Sequence, residues 1–180
     1  MITDVTITPG EIIVVSLELA KQHLRIEPSY VDENSLIAAY IEASVVICED
    51  FIGGSLSATA TVLMDKFVSP GKLPVYPVQT ITSVSYFPIH GSELVVMPNS
   101  DYRLMKVDGK SAYLVIDDMP QTATRFDALK VEVSVGFAAI PKPIIQAVLL
   151  SIGDMYERRE DRTEVVSTSV HALLRPYKLY

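Results

Sequence analysis

The hydrophobic period of this chain changes twice, and the two changes decide what it can fold into. Between Ser35 and Gly53, the residues Ile37, Ile41, Ser44, Cys48 and Phe51 recur in steps of four and three, and Leu36, Tyr40 and Ile47 widen the stripe. Glu42, Glu49 and Asp50 lie off its centre. This is the spacing of a long helix with one face to bury. Gly53-Gly54 follows at once and supplies the left-handed backbone that closes helices. From Ser57 to Gly136 the period is two. Pro141 and Pro143 then open another helical stripe, made of Ile144, Ile145, Val148, Leu149, Ile152, Met155 and Tyr156, with Arg158 and Arg159 in its last turn. The expectation is a β region inserted into a helical scaffold, with Ile41, Ser44 and Cys48 packed against Val148, Ile152 and Met155.

The remaining elements fit around that frame. Ile12 to Val15 is a β-branched run suited to a short strand or extended lead-in. Ser16 can cap a helix carrying Leu17, Ala20 and Leu24 that Pro28 ends, and Asp32 can cap the long helix with Glu33 in its first turn. In the β region Thr59, Thr61 and Leu63 alternate with Ala60, Val62 and Met64. Thr80 to Phe87, Glu93 to Met97, Tyr102 to Leu104, Ala112 to Ile116 and Leu129 to Val135 supply further strands, and Pro88 to Gly91 reads as a turn. The expected arrangement is an antiparallel meander. A last short helix from Ser167 or Thr168 carries Leu173 and Leu174 and stops before Pro176. The fold class is α+β, one domain over 1–180: helices within 17–53, a β region over 57–136, a helix over 141–160 and a tail over 167–180.

Composition narrows the function. A chain of 180 residues with 49% hydrophobic and 21% charged side chains is too apolar to be disordered, and its length suits one domain. With 22 acidic against 15 basic residues, a net charge of −7 argues against a protein that wraps nucleic acid. The longest aliphatic runs, such as Ile12 to Val15, fall far short of the ~20 residues needed to cross a bilayer. Met1-Ile2-Thr3-Asp4 lacks the basic start of a signal peptide. A mean hydropathy of +0.30 without a membrane segment leaves apolar surface that a subunit interface would absorb.

A screen for chemistry assigns no catalytic, cofactor-binding or metal-ligating residue. His23, His90 and His171 form no ligand spacing. Cys48, the sole cysteine, falls on the apolar stripe, which predicts an inert core thiol and allows no internal disulfide. Ser55 lacks the context of a nucleophile elbow, and no phosphate-binding glycine motif occurs. Asp117-Asp118 reads as a turn, and Asp154 with Arg158 as a helix-surface pair. The chain reads as a protein that is not an enzyme. The alternatives are a small hydrolase using a carboxylate pair in the β region, or a free-standing module that binds ligands on its sheet.

Several motifs, in order, resemble those of tailed-bacteriophage head–tail connector proteins, the adaptor or head-completion subunits found under the portal. Ser16-Leu17-Glu18-Leu19-Ala20-Lys21-Gln22-His23-Leu24-Arg25-Ile26 is similar to their opening helix. Asp32-Glu33-Asn34-Ser35-Leu36-Ile37 through Phe51-Ile52-Gly53 resembles their long second helix. Tyr76 to Tyr86 resembles their proline-valine and serine-valine strand, and Val131 to Gly136 followed by Pro141 their last strand and helix. Met155-Tyr156-Glu157-Arg158-Arg159-Glu160 is similar to their helix end, and Leu173-Leu174-Arg175-Pro176-Tyr177 to their C-terminus. The resemblance implies a structural, non-catalytic role at the head–tail interface of a phage or prophage virion, after assembly in the host cytoplasm. It implies a homo-oligomeric ring, often a dodecamer, docked on a portal protein and presenting a platform to tail-completion or terminator proteins. DNA would pass through without sequence-specific binding, and neither cofactor nor membrane is implied.

The tail supplies the candidate interface residues: Leu173, Leu174, Tyr177, Leu179 and Tyr180. Chain ends are usually polar, and this one is not. Leu173 and Leu174 can alternatively dock on the subunit's own core. Tyr177, Leu179 and Tyr180 lie beyond Pro176, where that core is harder to reach, and are expected to contact a neighbouring subunit or the portal.

Overall fold

Strand β2 (Ser57–Met64) opens the inserted region by burying Ala58, Ala60, Val62 and Met64 on one face, as its alternation dictates. The computed structural model describes residues 1–158 and 168–179, and its chain divides into two compact units. Met1–Glu11 with Gly54–Ala138 forms a β unit, and Ile12–Gly53 with Ala139–Tyr180 a helical one.

The β unit holds eight strands: β1 (Ile2–Pro9), β2, β3 (Gly71–Lys72), β4 (Val78–Tyr86), β5 (Val95–Val96), β6 (Tyr102–Val107), β7 (Ser111–Ile116) and β8 (Leu129–Gly136). They form a five-stranded sheet in the order β1-β2-β8-β4-β5 and a three-stranded sheet in the order β3-β7-β6. All the pairings are antiparallel. The connectivity is not the expected meander. The last strand, β8, lies between β2 and β4, pairing Val133 with Ala60 on one side and with Ile81 on the other. Its Leu129, Val131, Val133 and Val135 are buried, and both sheets contribute to one cluster that includes Val62, Val84, Leu114 and Val131. A strand with neighbours on both edges and a buried face suits such a valine-rich run.

Two β elements differ from expectation. The N-terminal strand is β1, not Ile12 to Val15. Ile2, Thr3, Val5, Thr6, Ile7 and Thr8 are β-branched, and β1 pairs along β2 from Ile2↔Met64 to Pro9↔Ala58. Ile12 and Ile13 are exposed, while Val14 and Val15 are buried in the bend before the first helix. Strand β3 is two residues long and carries no periodic signal.

The helical unit contains α1 (Leu17–Leu24), α2 (Asn34–Ile52), α3 (Lys142–Glu157), α4 (Thr168–Leu174) and a 3₁₀ turn over Arg175–Tyr177. Ser16 caps α1, its hydroxyl accepting from the Leu19 N–H at 3.1 Å. The helix ends at Arg25, in the left-handed region at φ 60°, three residues before Pro28. Lys21, 5% exposed, donates from Nζ to the carbonyls of Pro28 (3.2 Å) and Tyr30 (2.6 Å), which fixes the connection to α2. At the start of α2 the cap position belongs to Glu33 and not Asp32. Its carboxylate accepts from the Tyr156 hydroxyl at 2.6 Å, linking α2 to α3. Helix α2 ends at Gly53, whose φ of 70° a side chain would strain.

Helix α2 buries Ile37, Ser44, Cys48 and Ile52, and it packs on α3, which buries Ile144, Ala147, Val148, Leu149, Ser151 and Ile152. Ile41 and Met155 are half-buried at the margin, and Ile47 is exposed instead of widening the stripe. Arg159, the end of the expected helix over 141–160, and Ser167 lie outside the described residues.

Cys48 is 0% exposed, and burial, aided by the nearby Glu49 carboxylate, pushes its thiol up from 9.0 to about 11. The folded chain therefore keeps the thiol proton where the unfolded chain gives it up. This contribution to stability is complete below pH 9 and is lost as pH rises toward 11. A thiol reagent at pH 8 should label Cys48 only after denaturant is added. Cys48→Asp should unfold the helical unit, because an unpaired buried carboxylate costs several kcal/mol. Rapid labelling of the native chain, or an unchanged Tm in the variant, would show that this face is open to solvent.

Candidate functional site

The groups that could carry chemistry do not converge. His23 is exposed on α1 and His90 is exposed in the turn after β4. His171, on α4, stacks on Phe51 with ring centroids 4.3 Å apart. Among the described residues no three His, Cys, Asp or Glu side chains are grouped to hold a metal ion, and no helix is long and apolar enough to cross a membrane.

Three β-unit acids with displaced protonation equilibria all move the same way. Hydrogen bonds from the chain's amino terminus to Asp65, from Arg125 to Asp127, and from Lys130 and Ser83 to Glu132 hold each carboxyl below its usual range. A general acid needs the opposite displacement. These side chains are surface ion-pair members, and Asp117, which accepts from Arg103 at 2.7 and 2.6 Å, is another.

The tail runs back along its own helical unit. Leu174 is fully buried and Leu173 half-buried, the arrangement of core docking. Pro176 lies in the 3₁₀ turn, and past it the chain still returns to the end of α2. The Leu179 N–H donates to the Ile52 carbonyl at 2.8 Å, and the Lys178 ammonium sits 4.8 Å from the centroid of the Phe51 ring. Phe51 is thus covered by His171 and approached by Lys178. Tyr177 and Leu179 are half-buried, and the outward side of this segment carries Ala172, Arg175 and Pro176. Tyr180 lies outside the described residues.

Apolar surface is exposed elsewhere. On α2, Val46 is 53% and Ile47 42% exposed, on the side away from Cys48. In the β unit, Phe126 is 81% exposed on a loop that is fixed along its length. The Ala123 N–H donates to the Phe87 carbonyl at 2.8 Å, and the Phe87 N–H donates to Ala128 at 3.0 Å. The Arg125 guanidinium lies 3.6 Å over the Phe87 ring, and the Thr3 hydroxyl donates to the Phe126 carbonyl at 2.7 Å. A cavity of about 280 Å³, lined by Asp65, Lys66 and residues 122–126, adjoins it. An aromatic ring held in solvent by an ordered loop has the form of an interface anchor. The sequence gives little sign of it, since Thr122 to Ala128 has no periodicity.

No family model matches the chain, and no curated protein sequence matches it. Solved structures do. A chain in the neck of an empty GTA particle, computed with C6 symmetry, superposes with a TM-score of 0.75 at 18% identity, covering 97% of this chain and 96% of that one. A chain of the virion of a native gene transfer agent (GTA) particle gives a TM-score of 0.74 at 19% identity, with the same coverage. The neck of the native particle, computed with C12 symmetry, contains a chain matching at 0.69 and 17%, again over 97% and 96%. The mixed α+β fold is therefore shared, over nearly the whole of both chains, with components of a phage-like particle.

Because the tail closes on α2, truncation after Tyr177 should lower the unfolding free energy of the isolated chain by about 1–2 kcal/mol, the worth of one backbone hydrogen bond and one cation–π contact. Chemical denaturation of the two forms measures it, and an unchanged midpoint would show that the segment adds nothing to its own unit.

Proposed function

We propose that this protein is a structural head–tail connector of a tailed-phage-like particle, a neck subunit that assembles into a ring and performs no catalysis. The ring docks on the portal, continues the DNA channel and offers a platform to tail-completion proteins, so that the working place of the protein is the virion neck. The likeness in fold to neck and virion chains over 97% of the sequence carries this reading. The ordered motifs from Ser16 to Tyr177 support it independently of three-dimensional comparison.

The surface fits the role. A head-to-tail ring needs two different patches on each subunit. The chain exposes Val46 and Ile47 on α2 and Phe126 on the β unit, and its net charge of −7 suits a channel along which DNA slides. In this reading the exposed parts of Leu173, Tyr177 and Leu179 contact a neighbouring subunit or the portal, a role the sequence also suggests for Tyr180, while Leu174 serves the subunit's own core. The hydrolase alternative gains no support from surface acids held ionised by their partners.

Electron microscopy of the purified protein mixed with the portal protein of the same phage or prophage tests the proposal. Rings of this subunit stacked on the portal are expected, and a chain that stays monomeric and unbound at high concentration would overturn it. A second measurement concerns DNA. The isolated chain should bind random duplex DNA negligibly at physiological salt, and sub-micromolar, salt-sensitive binding would favour a nucleic-acid-binding module instead.

A further inference from the structure

Strand β1 ends the five-stranded sheet, and among the described residues β2 is the one strand that pairs with it. One residue past Pro9↔Ala58, the Gly10 N–H donates to the Ser57 carbonyl at 2.9 Å. Bonded pairs alternate along an antiparallel ladder, so Thr8 and Thr6 also turn their main-chain groups toward β2. Val5 and Ile7 turn theirs outward, as does Pro9, whose missing N–H suits an open edge. Among the described residues nothing bonds to the outward N–H and carbonyl groups of Val5 and Ile7. There is room beside this edge, since Asp4 and Thr6 to Pro9 are exposed and Val5 is only half-buried. A bulge at Thr3, whose hydroxyl is bonded to the Phe126 loop, closes one end of the open stretch, and Pro9 closes the other.

The two faces of β1 differ. Val5 and Ile7 stand opposite the buried Val62 and Ala60, so they extend the face that meets the core, and Ile7 is left 48% exposed there. Asp4, Thr6 and Thr8 occupy the other face, where the Thr6 hydroxyl donates to the Asp4 carboxylate at 3.2 Å. A strand laid on this edge must bring apolar side chains on one face, polar ones on the other, and free main-chain groups at matching positions. A second copy of β1 meets all of these demands, in one antiparallel register. With Val5 opposite Ile7 of the second copy, every outward N–H of these residues meets a carbonyl. Thr6 then faces its own counterpart and Asp4 faces Thr8, both favourable cross-strand pairs. The two Asp4 residues lie about 14 Å apart along the strands, beyond the Debye length at physiological salt. Centring the pair on Val5 would set Ile7 against the bulge at Thr3. Centring it on Ile7 would set Val5 against Pro9, which has no N–H to give.

We propose that β1 is a self-pairing edge through which two free copies of this chain form a two-fold dimer, joining their five-stranded sheets into one. The other edges of the β unit do not compete for it. Strands β3 and β5 are two residues long, and β6 lies close to β4. A two-fold contact has no place inside a single cyclic ring, so the dimer is a state of the free chain and is separate from the connector reading.

Sedimentation of the full chain over a concentration series should show a reversible monomer–dimer equilibrium. It should tighten with added salt, which screens the net charge of −7 on each copy. Amide hydrogen exchange at Val5 and Ile7 should slow as the dimer fills, while the Thr6 and Thr8 amides, already bonded to β2, should not change. Ile7→Pro removes an N–H that points to solvent in the single chain, so it should keep the native Tm and weaken dimerisation about tenfold or more. Thr6→Lys and Thr6→Glu should each leave the chain monomeric, because like charges then face each other, and mixing the two variants should restore a heterodimer. A chain that is monomeric at every concentration, a dimer with unchanged Val5 and Ile7 amides, or a mixture of variants that stays monomeric would each overturn the proposal. So would protection of these amides that appears only when portal protein is added, since the edge would then receive a foreign strand. Rings on the portal formed by a chain that never dimerises would refute the dimer and leave the connector reading intact. Dimers of a chain that forms no rings would do the reverse.

Discussion

The placement of β8 between β2 and β4 is the constraint on which the rest of the β unit depends. Antiparallel pairing of Ser57 with Gly136 brings the first and last residues of the insertion side by side. The same end of the sheet receives the exit of β1, because Pro9 pairs with Ala58 and the Gly10 N–H donates to the Ser57 carbonyl at 2.9 Å. All three points at which the chain passes between the β unit and the helical residues, near Glu11, Gly54 and Ala138, therefore lie at one end of one sheet. The position of β8 beside β2 is what brings two of those points together. It also delays the sheet: β2 and β4 have no common neighbour until residues 129–136 are in place, so its pairings carry the loop-closure cost of long-range contacts.

Periodicity revealed faces but not neighbours, and the difference explains what was legible in the sequence. The α2 stripe, its stop at Gly53, the proline-led start of α3 and the alternation of β2, β7 and β8 each follow from which side of an element meets the core, a property local to ten or twenty residues. Strand order is not local. Nothing in Leu129 to Gly136 says that it pairs on both edges, beyond a density of valine that a one-sided strand tolerates equally well. Strand β1 was missed although Asp4 to Thr8 alternates polar and apolar residues; it is an edge strand with little to bury, so both its faces are largely exposed. At Ile47 the stripe was drawn too wide, because a residue at the margin of a helical face is covered only if the neighbouring helix reaches it.

The candidate site was legible in outline only. The apolar excess pointed to surfaces held for partners, and Val46, Ile47 and Phe126 are exposed apolar side chains of that kind. For the residues past Pro176 the core was read as harder to reach, because the proline stops a helix. Yet a proline that stops a helix also turns the chain, and the 3₁₀ turn over Arg175–Tyr177 redirects it toward the last carbonyls of α2. Those carbonyls have no partner within their own helix, so a returning strand of main chain is one of the few ways to satisfy them. Lys21 was equally unreadable, being an ordinary polar position of an amphipathic helix until the loop from Glu27 to Tyr30 folds over it.

These features bear on how a subunit with the proposed role would stay ready without assembling early. A ring interface made of long mobile ends would have to order them on binding, at an entropic cost for every residue fixed. Here the elements nearest the proposed contacts are already ordered in the single chain. Bonds with Phe87 and Thr3 hold the Phe126 loop, and the bond from Leu179 to Ile52 and the contacts to Phe51 hold the tail. Preorganised contacts of modest apolar area can bind through many weak copies acting together, and a ring of the proposed kind would multiply them without making any one pair sticky. A net negative charge opposes chance association of free subunits at long range, where little apolar area is in contact. In the proposed role, ring association would then be favourable only where a template holds neighbours in register, which is the physical requirement on any protein that must close one ring at one place.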